Sequence, residues 1–185
     1  MTDWLEHLDA RHDGAMAALD VHLAESDRDL DDVRRLFRSF VAWHRERHTE
    51  DLALIDAYFD EDAWERELAE LPGAYGPPDG ALLLAREADV ALGCAAVKRL
   101  DDESCEMKRM FVAPMARGGG AGRALADDLL ARARASGYRQ MFLDTSVRQT
   151  EAITLYRSLG FEEVPPYYDV PDTLRGWLVF FRLDL

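Results

Sequence analysis

The sequence predicts a mixed α/β domain of the α+β kind, a sheet with antiparallel and parallel strand pairs flanked by helices. Two patterns and the composition point there. The polar turn Asp101-Asp102-Glu103 joins the apolar runs Val90–Arg99 and Ser104–Ala113, which therefore pair as an antiparallel hairpin. One amphipathic helical stretch, about Gly120 to Ser136, then separates Ser104–Ala113 from the next strand at Arg139–Asp144, the layout of a strand–helix–strand crossover. The chain has 185 residues, 48% of them apolar, with only seven prolines. That suffices for one packed core, so residues 1–185 read as a single domain.

The remaining elements follow in order. Asp3–His12 is a candidate short helix, and Met16–Glu25 alternates enough for a first strand. Ser26 to Asp32 is rich in helix-starting residues, and Leu30, Val33, Leu36, Phe37, Phe40 and Val41 then follow helical period. A second helical region spans about Thr49–Leu71, broken near Asp60. Its acidic run Asp60-Glu61-Asp62 favours a helix N-terminus, with Trp64, Leu68 and Leu71 on one face. Leu71–Gly80 is a loop by its glycines and prolines, and Ala81–Arg86 is a strand. Leu125, Leu129 and Ala133 form the buried stripe of the crossover helix. A helix at Thr150–Leu159 and strands near Phe161–Tyr168 and Gly176–Leu183 end the chain.

The formal net charge of −14 opposes general affinity for nucleic acid, whose phosphates would be repelled over most of the surface. It suits a cationic small molecule or basic peptide better, with solubility as the plain alternative. No apolar run approaches a membrane span, and the acidic start Met1–Glu6 lacks a basic-then-apolar leader pattern. A cytoplasmic location is the expectation. Cys94 and Cys105 are too few for a disulfide framework or a metal site, so reduced thiols and no metal are expected.

The chemistry concentrates in Met110–Arg123, where Gly118, Gly119, Gly120 and Gly122 sit between an apolar strand and a helix. Glycines remove the Cβ atoms that would keep an anion from the backbone, and N–H groups at a helix N-terminus attract phosphate oxygens. Three motifs compete. A P-loop needs Gly-Lys-Ser/Thr, but Arg123 and Ala124 follow Gly122. A dinucleotide fingerprint needs a third glycine where Arg123 or Leu125 stands; only Asp144, about twenty residues on, favours it. The pattern Arg/Gln-x-x-Gly-x-Gly/Ala fits at Arg117, Gly120 and Gly122.

This third pattern resembles motif A of the GNAT superfamily of CoA-dependent N-acyltransferases. Gln149–Phe161, with Ala152, Leu155, Tyr156, Gly160 and Phe161, resembles that family's Asn-x-x-Ala-x-x-Leu-Tyr-x-x-x-Gly-Phe signature, and Glu106–Val112 resembles the strand feeding the loop. The resemblance covers Ala81–Leu185, while residues 1–70 add little specificity. It implies a strongly twisted mixed sheet with helices on both faces, splayed where CoA enters, and an acetyl-CoA core at about 104–161. The implied activity is transfer of an acetyl group from acetyl-CoA to a primary amine of a small molecule or peptide, with a homodimer common in relatives. The implied donor site is the backbone of Met110, Phe111 and Val112 for the pantetheine arm, and Arg117, Gly118, Gly119, Gly120, Ala121, Gly122 and Arg123 for the pyrophosphate. Gln149, where relatives have Asn, would touch the pantetheine.

The same resemblance makes Tyr156 the general acid for the departing thiolate and Glu106 the base. An alkylammonium with a pKa of about 10 must lose a proton before it can attack. Each residue has a plainer reading: Tyr156 as core packing with Ile153 and Leu159, Glu106 as a solvated strand carboxylate. Tyr167 and Tyr168 either line the acceptor pocket or pack on the sheet. His44 and His48, one helical turn apart, lack the zincin arrangement and read as a solvated helix face. Two rival functions are a nucleotide-binding oxidoreductase and a CoA-binding module without turnover.

Overall fold

The computed structural model describes residues 18–185. The helix expected at Asp3–His12 lies outside them. Seven strands form one sheet in the order β1-β2-β3-β4-β5-β7-β6: β1 Leu19–Leu23, β2 Ala81–Glu87, β3 Val90–Arg99, β4 Ser104–Val112, β5 Gln140–Ser146, β6 Glu162–Val164 and β7 Leu178–Asp184. All neighbours run antiparallel except β4 and β5, which the crossover helix joins in parallel.

Among the described residues five α-helices cover the sheet: α1 Asp27–Arg47, α2 Leu52–Tyr58, α3 Glu61–Glu70, α4 Ala121–Ala135 and α5 Thr150–Ser158. Ser26 caps α1 by accepting from the Asp29 N–H, and Asp60 caps α3 by accepting from the Ala63 N–H. The expected break between the second and third helices therefore falls at Phe59–Asp60.

Both sheet faces are buried, and β2 shows how. Leu82 and Leu84 join the core with Phe37, Ile55 and Leu68 from α1–α3, while Leu83 and Ala85 join the core with Leu125 and Leu129 from α4. Alternating side chains thus feed two cores, giving a continuous apolar run instead of an apolar–polar alternation.

The strand expected at Phe161–Tyr168 is shorter than its pattern. Only Glu162–Val164 pairs, because Pro165 and Pro166 have no N–H to continue a ladder. The last strand likewise begins at Leu178, after a turn in which Gly176 has φ +82°.

Two features of β4 shape the site. It pairs with β5 only at Ser104–Glu106 against Gln140–Phe142, and beyond that point the strands splay apart. β4 also carries an extra residue opposite β3. Phe111 faces Cys94 and Lys108 faces Ala96, leaving Arg109 at φ +55° in the bulge. That conformation is uncommon for a residue with a Cβ.

Candidate active site

The glycine loop is the approach to α4. Gly118 has φ +80° and Gly120 φ +87°, both left-handed, and a Cβ added at either would meet nothing within 4 Å. Among the described residues, the first N–H to donate back into α4 is that of Ala124, to the Gly120 carbonyl at 3.0 Å. The N–H groups of the preceding turn are therefore available to an anion. A Cβ on Gly122 would lie 3.6 Å from both Leu155 and Val112. Arg117 donates from Nε to the Val112 carbonyl at 3.1 Å, and its guanidinium lies 4.1 Å from the Trp43 ring centroid. Arg123 is exposed and paired with Asp127 at 2.8 Å.

This loop, the far half of β4 and the start of α5 enclose a cleft of about 400 Å³. Every residue expected to hold the acyl donor lines it except Gly119. Trp43 from α1 and Leu155 from α5 line it as well; Leu155 was named from the sequence only as a position of the signature, and Trp43 was not singled out.

A smaller chamber of about 40 Å³ lies deeper in the splay. Met110, Gln149 and Tyr156 line both spaces and so mark the boundary between them. Tyr156 is buried, with Phe161 and Phe181 rings at 5.9 and 6.3 Å, and burial raises its phenol well above the usual pKa. Packing and cleft position thus coexist in one side chain.

A charged network lines the chamber through Tyr58, Lys108, Arg109 and Asp144 and continues behind it to Glu106 and Glu67. Lys108 Nζ lies 2.7 Å from Asp144 Oδ1, 3.3 Å from Glu106 Oε1 and 3.2 Å from the Tyr58 hydroxyl, which itself donates to Asp144 at 2.6 Å. Asp144 is held below the usual carboxylate range by Lys108 despite its burial, and Lys108 is raised by its anionic neighbours. Arg109 donates from Nε and Nη2 to both oxygens of Glu67 at 2.7 and 2.6 Å, and lies over Trp64.

Glu106 is not the solvated carboxylate of the plainer reading. It is buried, it accepts from Tyr167 at 2.6 Å, and Lys98 Nζ lies 3.0 Å from its other oxygen. It lines neither the cleft nor the chamber. Tyr167 thus ties the segment after β6 to β4, while Tyr168 stacks edge-on against it and is more exposed.

The expectation of a solvated face at His44 and His48 is overturned. Both are buried, with ring centroids 5.2 Å apart, because α2 and the chain around Trp177 cover that side of α1. Helical period told which residues share a face, not what would pack on it. His44 lines the chamber, its Nε2 lies 2.8 Å from the Gln149 amide nitrogen, and burial lowers its pKa to about 4. No cluster of three or more metal-ligating side chains occurs among the described residues.

Sequence reasoning missed Tyr58, Lys108 and Trp177 as chamber residues. Lys108 stands two residues from Glu106 and two from Met110, both already in question, so its place on the strand was a signal. Tyr58 and Trp177 come from elements distant in the chain and carried none. Asp144 had been noticed, but as a hint toward a dinucleotide site.

Comparison with known proteins agrees with this architecture. The family model described as Acetyltransferase (GNAT) family matches residues 33–161. An uncharacterized N-acetyltransferase of Schizosaccharomyces pombe is 34% identical over 160 residues, covering 85% of this chain and 90% of that protein. The structure of a GCN5-related N-acetyltransferase from Kribbella flavida superposes with a TM-score of 0.65 at 27% identity, over 91% of this chain and 98% of that one. A GNAT family acetyltransferase from Elizabethkingia anophelis, solved with acetyl-CoA bound, shares the fold with a TM-score of 0.57 at 17% identity, over 93% and 100% of the two chains. The family match runs from within α1 through α5 and takes in the glycine loop and the splayed strands: the chain belongs to the GNAT acetyltransferase family and is an acyltransferase enzyme.

Proposed function

We propose that this enzyme moves an acetyl group from acetyl-CoA to the primary amine of an acceptor by direct attack, with Tyr156 as acid and Glu106 as base. The observation that carries this reading is the boundary itself. Tyr156, Gln149 and Met110 face both a cleft headed by a helix N-terminus and a polar inner chamber. A donor in the cleft and an amine at the boundary would meet there, which replaces a bimolecular encounter with an oriented one. A related fold solved with acetyl-CoA bound supports the choice of donor.

In this reading the pantetheine arm lies along Met110–Val112 in the opening between β4 and β5, with Gln149 beside it. The pyrophosphate sits on the N–H groups of the glycine loop, with Arg117 and Arg123 adding charge. The amine nitrogen forms its bond to the acetyl carbon, the C–S bond breaks with its electron pair going to sulfur, and the Tyr156 O–H supplies the proton to that sulfur. Glu106 lies behind Lys108, so it takes the amine's proton through water. The chain works as one domain in the cytoplasm, a setting that suits the buried free thiols of Cys94 and Cys105. Among the described residues no helix is long and apolar enough to cross a membrane.

The test is thiol release from acetyl-CoA with a panel of amines, amino acids and basic peptides, alongside calorimetry of acetyl-CoA and NAD(P). Amine-dependent release supports the reading. Acetyl-CoA binding without turnover of any amine would leave a binding module, and NAD(P) binding without acetyl-CoA binding would leave an oxidoreductase.

A further inference from the structure

We infer that the acceptor carries a carboxylate next to its reacting amine, and that Lys108 and Arg109 hold this carboxylate in the inner chamber. This rests on reading the outer cleft as the donor site.

The chamber's size sets the first limit. A buried water needs roughly 10–15 Å³ of such space, so about 40 Å³ takes some three water-sized groups. One small polar group fits; a whole acceptor does not.

The second limit is which charges face the space. Lys108 and Arg109 both line the chamber and keep 14% and 12% of their side chains accessible. Of the carboxylates that balance them, Asp144 also lines the chamber but its side chain is 0% accessible, while Glu106, 3% accessible, and Glu67, 22% accessible, do not line it. Asp144 is occupied by Lys108 and Tyr58, and Glu106 by Lys98, Lys108 and Tyr167. Glu67 takes Nε and Nη2 of Arg109, and among the described residues Nη1 makes no hydrogen bond. A ligand entering the chamber therefore meets cations and N–H donors first. A planar guanidinium edge and an ammonium are suited to a carboxylate.

A third observation is independent of these charges. His44 lines the same chamber, is 1% exposed, and has Nδ1 buried with no partner among the described residues. A buried polar atom without a partner is costly unless a ligand or water completes it.

A carboxylate in this space would place an amine one or two carbons away at the boundary formed by Met110, Gln149 and Tyr156. The acceptor class is thus an α- or β-amino acid. The opposite class, a polycationic amine, would bring like charge against Lys108 and Arg109 where little water screens it. The net charge of −14 favoured a cationic acceptor, but that charge is spread over the surface, whereas the charged side chains accessible within the chamber are Lys108 and Arg109.

The experiment compares acetyl transfer to matched pairs differing only in the carboxylate: leucine and isopentylamine, phenylalanine and 2-phenylethylamine, β-alanine and ethylamine. Acetyl-CoA binding is followed by calorimetry on the same protein. The expected result is a kcat/KM at least tenfold higher for one or more of the carboxylates than for its partner. Lys108→Met should bring that ratio toward one while acetyl-CoA still binds. Because Lys108→Met strands Asp144, the double variant Lys108→Met/Asp144→Asn is measured too, each with a melting curve. The decarboxylated amines turning over as well as or better than every amino acid would overturn the inference, and so would no turnover of any pair by protein that binds acetyl-CoA. Failure to bind acetyl-CoA at all would overturn the donor reading first, and this inference with it.

Discussion

The side-chain amide of Gln149 meets Nε2 of His44 at 2.8 Å, joining the residue that precedes α5 to the buried face of α1. One contact thus ties the first long helix to the boundary between cleft and chamber. Burial, then the nearby His48, pushes His44 down to about 4, so its ring is neutral near pH 7. The unfolded chain, with His near 6.5, binds the proton more readily than the folded one. Stability should therefore be at its full value above about pH 6.5 and fall as the pH drops from there toward 4. The magnitude is on the order of 3 kcal/mol from this residue. His44→Gln should flatten that part of a plot of Tm against pH. A parent and variant that lose stability in parallel across this window would contradict the assignment.

Tyr156→Phe removes a hydroxyl and keeps the ring packed against Phe161 and Phe181. The raised phenol keeps its proton throughout the working range, as an acid requires. Single-turnover acetyl transfer should fall by about 10²–10⁴-fold with little change in CoA affinity or Tm. A fall of only a few-fold in a well-folded variant would return Tyr156 to packing alone.

Gly122→Val would direct a branched side chain at Leu155 and Val112, across the narrow part of the cleft. Acetyl-CoA affinity measured by calorimetry should fall by at least about tenfold, since roughly 1.4 kcal/mol of lost contact suffices. Gly120→Val adds backbone strain at φ +87° and should lower Tm as well. Unchanged affinity in folded Gly122→Val would remove this loop from the donor site.

Glu106→Gln keeps the hydrogen bond from Tyr167 but removes the charge facing Lys98 and Lys108. The rate should drop and the ascending limb of its pH profile should shift or flatten, with acetyl-CoA binding nearly intact. A pH profile identical to the parent's would leave Glu106 a structural partner of the two lysines.

Glu67→Ala would strand the Arg109 guanidinium under α3, where it is buried over Trp64 in the bulge of β4. Leaving one member of a buried pair unmatched costs roughly 3 kcal/mol or more. For a domain of this size that lowers Tm by about 6–12 °C. A melting point within a degree or two of the parent would show that the pair is solvated in solution.

Strand and helix order were largely readable because period and capping are local. The hairpin turn at Asp101–Glu103, the Ser26 cap and the glycines before α4 each act within a few residues. The cleft residues of the loop and of the strand feeding it were legible for the same reason, since the two are contiguous in the chain, while Trp43 from α1 was not. The end of β6 was not, because an apolar pattern continues through Pro165-Pro166 while the backbone loses its donors there.

The sequence by itself determined the class of the fold, the place of the glycine loop at the cleft and a tyrosine beside it, all set by backbone chemistry over short distances. Only the tertiary structure decided that His44 and His48 are buried and that Glu106 stands behind the chamber. It alone brought Tyr58 from α2, Lys108 from β4, Asp144 from β5 and Trp177 from the turn before β7 around one small space. The reason is physical. Which charge faces a cavity depends on which partners pack behind it, and here those partners come from elements separated by dozens of residues.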